Sequence, residues 1–132
     1  MVDLEKIFQE IKEILQNNSQ DFLQTEKYLD SKAKTDKPGY HLYGNKEVSL
    51  FGKKPQSTYV AGVIQQRNYV SFYFSPVYSH PNEFEPNISS DLKKYLKGKS
   101  CFNIPKTTPE LYKEIQKLLA DGIKKYKEIG WI

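Results

Sequence analysis

Few side chains in this chain are able to do covalent or metal chemistry: one cysteine, Cys101, two histidines, His41 and His80, and sixteen carboxylates among 132 residues. A nucleophilic thiol needs an adjacent base or positive potential to lower its pKa. Lys99 is close to Cys101 in sequence, but no spacing fixes a histidine beside it, and Cys101 stands between Ser100 and Phe102 in a strand-like run. That context suits a small buried structural cysteine. Gly98-Lys99-Ser100 has the closing residues of a phosphate-binding loop. The position that should hold the loop's first glycine is Lys93, however, and Pro105 arrives where a helix should run. The histidines and the cysteine fall at no recognised metal-ligand spacing.

Carboxylates could hold a hard cation through oxygen. Asp21, Glu26, Asp30 and Asp36 cluster in sequence, but Lys27, Lys32 and Lys34 interleave with them, the pattern of a mixed solvated face. No acid sits on a clearly apolar strand face, where paired carboxylates would have to be buried for acid–base work. Ten tyrosines, seven phenylalanines and Trp131 could stack on bases. Most of the phenylalanines fall on core positions instead, and Arg67 is the single arginine, although arginine is the residue suited to bidentate phosphate and base contacts. Nucleic acid is therefore not the expected partner. From Lys93 onward ten lysines face four acids, a net +6, against −2 for the first 92 residues. Lysines solvating the outer face of a last helix account for that bias.

The elements that must position these residues are legible. Leu4, Ile7, Phe8, Ile11, Ile14 and Leu15 recur at helical spacing, with Asp3 as N-cap and Asn17-Asn18-Ser19 as stop. A short strand is expected around Tyr28–Ala33. After the turn at Lys37-Pro38-Gly39 the pattern becomes extended: Tyr40–Tyr43 and Val48–Phe51 read as two short strands of a hairpin about Gly44-Asn45. Thr58–Gln65 and Tyr69–Phe74 follow, linked by Gln66-Arg67-Asn68. Pro76 ends that strand, and Pro81 and Pro86 predict an irregular loop over Ser79–Asn87. Ser89 or Ser90 caps a short helix through Asp91–Leu96, Ser100–Ile104 reads as a last strand, and Thr108-Pro109 opens a final helix that stops near Gly130.

These elements make one α+β domain spanning residues 1–132, a two-layer α-β sandwich with an antiparallel sheet packed against N-terminal and C-terminal helices. One sheet face then lies on the helices and the other is left open. In Tyr69–Phe74, alternation puts Val70, Phe72 and Phe74 on the core face and Tyr69, Ser71 and Tyr73 on the other. The lone cysteine excludes an internal disulfide scaffold, and no segment is apolar over the length a membrane span needs. No leader is visible, so a reducing cytoplasm is the expected compartment.

Tyr59-Val-Ala-Gly-Val, Tyr69-Val-Ser-Phe-Tyr-Phe-Ser-Pro-Val-Tyr78 and Leu92-Lys-Lys-Tyr-Leu-Lys-Gly-Lys-Ser-Cys-Phe-Asn-Ile104, with the helix that follows, resemble the YdhG-like family, a bacterial group of small domains of unknown function. The resemblance runs best from Tyr40 to Tyr126. It implies a frataxin-like sandwich and, for some relatives, an iron-chaperone role using acids of the first helix and strand. Here those positions would be Glu10, Glu13, Asp21 and Glu26. The residues themselves lead to a non-enzymatic binding or adaptor domain without a cofactor. Its contact surface is the open sheet face at Tyr69, Ser71 and Tyr73, and its partner is a protein or a second copy. Iron held by the four acids is the alternative.

Overall fold

The computed structural model describes residues 3–20, 22–26, 37–49, 52 and 54–132. The strand expected at Tyr28–Ala33 and the acid Asp21 lie outside the described residues. Helix α1, Leu4–Asn17, starts where Asp3 Oδ1 accepts from the Lys6 amide at 3.1 Å. Strands β1 (Phe22–Thr25), β2 (Gly39–Val48), β3 (Gln56–Gln65) and β4 (Val70–Phe74) follow. Short helices α2 (Ser75–Ser79), α3 (Pro81–Phe84) and α4 (Ser90–Lys93), with a 3-10 turn at Glu85–Asn87 between α3 and α4, lead to β5 (Leu96–Lys97) and β6 (Cys101–Ile104). The chain then enters α5, Pro109–Glu128, where Thr108 Oγ1 accepts from the Leu111 amide at 3.2 Å.

Among the described residues the strands form one antiparallel sheet in the order β1-β2-β3-β4-β6-β5. The expected α-β sandwich is present. Ile7, Phe8, Ile11 and Leu15 of α1, with Leu111, Ile115, Leu119 and Tyr126 of α5, meet Leu42, Val63, Phe72, Phe74, Phe102 and Ile104 on one sheet face. Each such large apolar side chain contributes about 1.5–3 kcal/mol by leaving water. Gly122 sets how closely α5 approaches. A Cβ there would lie 2.7 Å from Pro76 Cγ and 2.8 Å from Phe74 Cζ.

Three expectations are corrected. Tyr40–Tyr43 and Val48 belong to one strand, not to the two arms of a hairpin: both ends of β2 pair with β3, through Tyr40↔Val63 and Val48↔Gln56. Register shifts absorb the irregular residues between, and Ile132 packs over Gly44 where a turn would have projected. The segment over Ser79–Asn87 is not an irregular loop but a succession of helical turns. Pro76, Pro81 and Pro86 each sit in a first turn, where a missing N–H costs no helical bond. The helix capped by Ser89 ends at Lys93, which frees Leu96 to enter the edge strand β5.

Candidate functional site

The sheet face turned away from α1 and α5 carries the polar side chains. Residues directly opposite on antiparallel neighbours share a face. The pairings Thr25↔His41, His41↔Gly62, Gly62↔Tyr73, Tyr73↔Cys101 and Cys101↔Lys97 therefore place one row across the whole sheet. The next row runs Gly39↔Ile64, Ile64↔Ser71 and Ser71↔Asn103.

This face is not bare. His41 and Ser71 are each only 1% exposed. Ser71, a small side chain between Ile64 and Asn103, donates its hydroxyl to Asn103 Oδ1 at 2.8 Å. Cys101 Sγ donates to the same oxygen at 3.2 Å. Burial pushes the Cys101 thiol up, and hydrogen bonding with Ser71 and Tyr73 opposes that shift without reversing it. Tyr73, Cys101 and Asn103 are half-buried, whereas Lys97 at the edge is exposed. Tyr69 lies just before β4, half-buried, with its carbonyl accepting from the Gln66 amide at 2.9 Å in the hairpin turn. Of the three tyrosine and serine positions read from sequence, Tyr73 and Ser71 belong to the site, and Tyr69 flanks it.

At the other end of the row His41 Nδ1 and the Tyr59 hydroxyl share a hydrogen bond of 2.9 Å. Gly62 makes room for it: a Cβ there would overlap the Tyr59 hydroxyl and His41 Nδ1. Burial lowers the His41 pKa to about 4, so the ring is neutral. His41 on β2 and Cys101 on β6 are separated by β3 and β4. At roughly 4.8 Å per strand that is about 14 Å, too far for a cysteine–histidine dyad.

His80 takes part in a separate cluster. Its Nδ1 bonds Ser79 Oγ at 2.8 Å, and Ser79 Oγ also bonds the Tyr126 hydroxyl at 2.6 Å. Ser75 Oγ meets the same hydroxyl at 3.0 Å, and the Trp131 ring stands against both His80 and Tyr126. Burial raises the Tyr126 phenol, with the two serines opposing. These bonds satisfy a phenol buried in the core and tie α5 to α2.

The acids stand elsewhere. Glu10 and Glu13 are one turn apart on α1; Glu10 is half-buried and Glu13 exposed. Glu10 lines a cleft of about 540 Å³ with Asp3, Lys6, Lys106 and Tyr112. The Tyr112 phenol is pushed up to about 12, by burial first and by Glu10, against a hydrogen bond to Thr107. Glu26 is exposed beyond β1. Among the described residues no three histidine, cysteine or carboxylate groups converge to hold a metal ion.

Lys97, Tyr59, Gly62 and Asn103 are the members of the site that sequence reasoning passed over. Period-two alternation in Cys101–Ile104 was the available signal for Asn103, because it puts Asn103 on the same side as Cys101 and opposite Phe102. Among the described residues no helix is long and apolar enough to cross a membrane. No protein-family model matches the chain, and comparison with curated proteins and with solved structures found no match.

Proposed function

We propose that this chain is a non-catalytic binding domain whose contact surface is the sheet face opposite α1 and α5, centred on Tyr73, Cys101 and Asn103. One observation carries the reading. Two neighbouring strands, β4 and β6, present a half-buried cluster of hydroxyl, thiol and amide groups on a face that the helices do not use, held in place by its own hydrogen bonds. Preorganised polar groups on rigid strands bind without paying much ordering entropy. Catalysis fits the geometry less well: the thiol is raised by burial, and neutral His41 is three strand spacings away and bonded to Tyr59. Tyrosine at such a surface supplies apolar area and a polar tip together.

Immobilised protein, wild type and the Tyr69→Ser/Tyr73→Ser double variant, tests this reading against cell extract. A partner retained by the wild type is identified, purified and added to isotope-labelled protein. The expected result is loss of retention in the variant and amide shifts at Tyr73, Cys101 and Asn103. Equal retention, or shifts confined to the helices, would remove this face as the contact surface.

A further inference from the structure

The binding reading leaves the chemistry of the partner open, and Asn103 constrains it. An amide oxygen offers two lone-pair sites. In Asn103 both are taken, by the Ser71 hydroxyl and the Cys101 thiol. The Asn103 Nδ2 group is consequently turned away from these two donors, and among the described residues it has no hydrogen-bond partner. A half-buried side chain thus holds two N–H donors, fixed in direction by the bonds on its oxygen.

Lys97 supplies charge beside it. It lies opposite Cys101 on the same face, is exposed, and forms no ion pair among the described residues. Lys94 and Lys99 flank it, also exposed and without ion pairs among the described residues. The Lys94 ammonium stands 5.1 Å over the Tyr95 ring and that of Lys99 5.6 Å over the Tyr78 ring. Between Lys93 and Lys106 the sequence holds no acid. The β5–β6 hairpin itself therefore carries positive charge and no negative charge.

We propose that this end of the binding face recognises carboxylates of an extended acidic segment of another protein, with Asn103 Nδ2 and the Lys97 ammonium as the reading groups. The proposal rests on the binding function above. Lys97 and Asn103 are diagonal neighbours on adjacent strands, about 7–8 Å apart at the backbone. Alternate side chains of an extended peptide are spaced by roughly 6.5–7 Å on one side. Two acids separated by one residue would meet the two groups together. A nucleic-acid strand fits less well, because the charge is carried by lysine alone and Arg67 sits in the β3–β4 turn.

A fluorescein-labelled peptide of alternating Glu and Ser, its Gln–Ser counterpart and a labelled oligothymidine, each followed by anisotropy, form the test. The Glu–Ser peptide should bind, the Gln–Ser peptide should not, and the oligonucleotide should bind more weakly. Asn103→Asp keeps the acceptor oxygen for Ser71 and Cys101 but replaces the donors with negative charge. It should weaken the Glu–Ser peptide about tenfold or more, as expected for a hydrogen bond to a charged group. Exposed Lys97→Gln should weaken it without touching the fold, and so keeps the test decisive if Asn103→Asp unfolds. Equal binding of the two peptides, indifference to both substitutions, or preference for the oligonucleotide overturns the proposal. If the Glu–Ser peptide fails to bind while retention of a cellular partner still depends on Tyr73, the acidic-segment proposal falls and the binding face stands. If both fail, both fall.

Discussion

Replacing Gly62 by alanine tests whether the polar row is held together as described. The new Cβ would lie 3.0 Å from His41 Cε1, and closer still to His41 Nδ1 and the Tyr59 hydroxyl. Tyr59 is half-buried and can swing its hydroxyl outward, but His41 is 1% exposed and has no such freedom. Forcing a methyl group into that site costs about 1–3 kcal/mol by overpacking. Separating His41 from Tyr59 leaves a buried ring nitrogen without its bond, which costs about 1–3 kcal/mol more. Allowing for partial relaxation, the sum is about 2–4 kcal/mol. For a domain of this length that corresponds to a fall in melting temperature of roughly 8–16 °C. Thermal unfolding followed by circular dichroism measures it. Two further backgrounds locate the clash. In Tyr59→Phe, which removes the hydroxyl and with it the bond to His41, only the overpacking part of the cost, about 1–3 kcal/mol, should remain; in His41→Ala it should drop below about 1 kcal/mol, since contacting residues couple strongly. A melting temperature within about 2 °C of wild type in the single variant, or a cost that vanishes with Tyr59→Phe and not with His41→Ala, would refute the packing argument.

The His41 pKa gives a pH dependence. It falls from 6.5 to about 4 on folding, so the unfolded chain takes up a proton first as the pH drops. The stabilisation is complete above 6.5 and is lost progressively towards pH 4, amounting to roughly 2–3 kcal/mol. Urea midpoints measured across this window should decline for the wild type and much less for His41→Asn; parallel declines would assign the loss to other groups. Cys101, raised by burial, should react with iodoacetamide at neutral pH about tenfold or more slowly than in urea. Equal rates in the two conditions would reveal an accessible thiolate. Thr108→Ala removes the cap of α5 and should cost about 1 kcal/mol in chemical denaturation, whereas no change would mean that the Leu111 amide finds another acceptor.

Much of the framework was legible because it is written in local periodicity. The i, i+3, i+4 stripe from Leu4 to Leu15 and its counterpart from Leu111 to Tyr126 carry helix and core face together. Asp3 and Thr108 have side chains that bond the first free amides whatever the rest of the fold does. Alternation in Val70–Phe74 assigned the core face correctly, and Val70, Phe72 and Phe74 are fully buried.

The site was less legible, for a physical reason. Alternation assigns a residue to a side of a strand, but the residue facing it across the ladder depends on register, which is set by pairing between distant segments. Ser71 and Asn103 are 32 residues apart in sequence, and nothing local to either predicts their bond. The same limit explains Gly44-Asn45, whose hairpin signal yields to pairing of both ends of β2 with β3 and to Ile132 packed above. Sequence by itself determined the two long helices and their caps, the strands β3, β4 and β6, and the buried face of β4, since propensity and period need only near neighbours. Tertiary structure alone decided that Tyr73, Cys101, Asn103 and Lys97 share one surface and that the Asn103 oxygen is saturated while its amide hydrogens are turned away. Those facts follow from strand order and register.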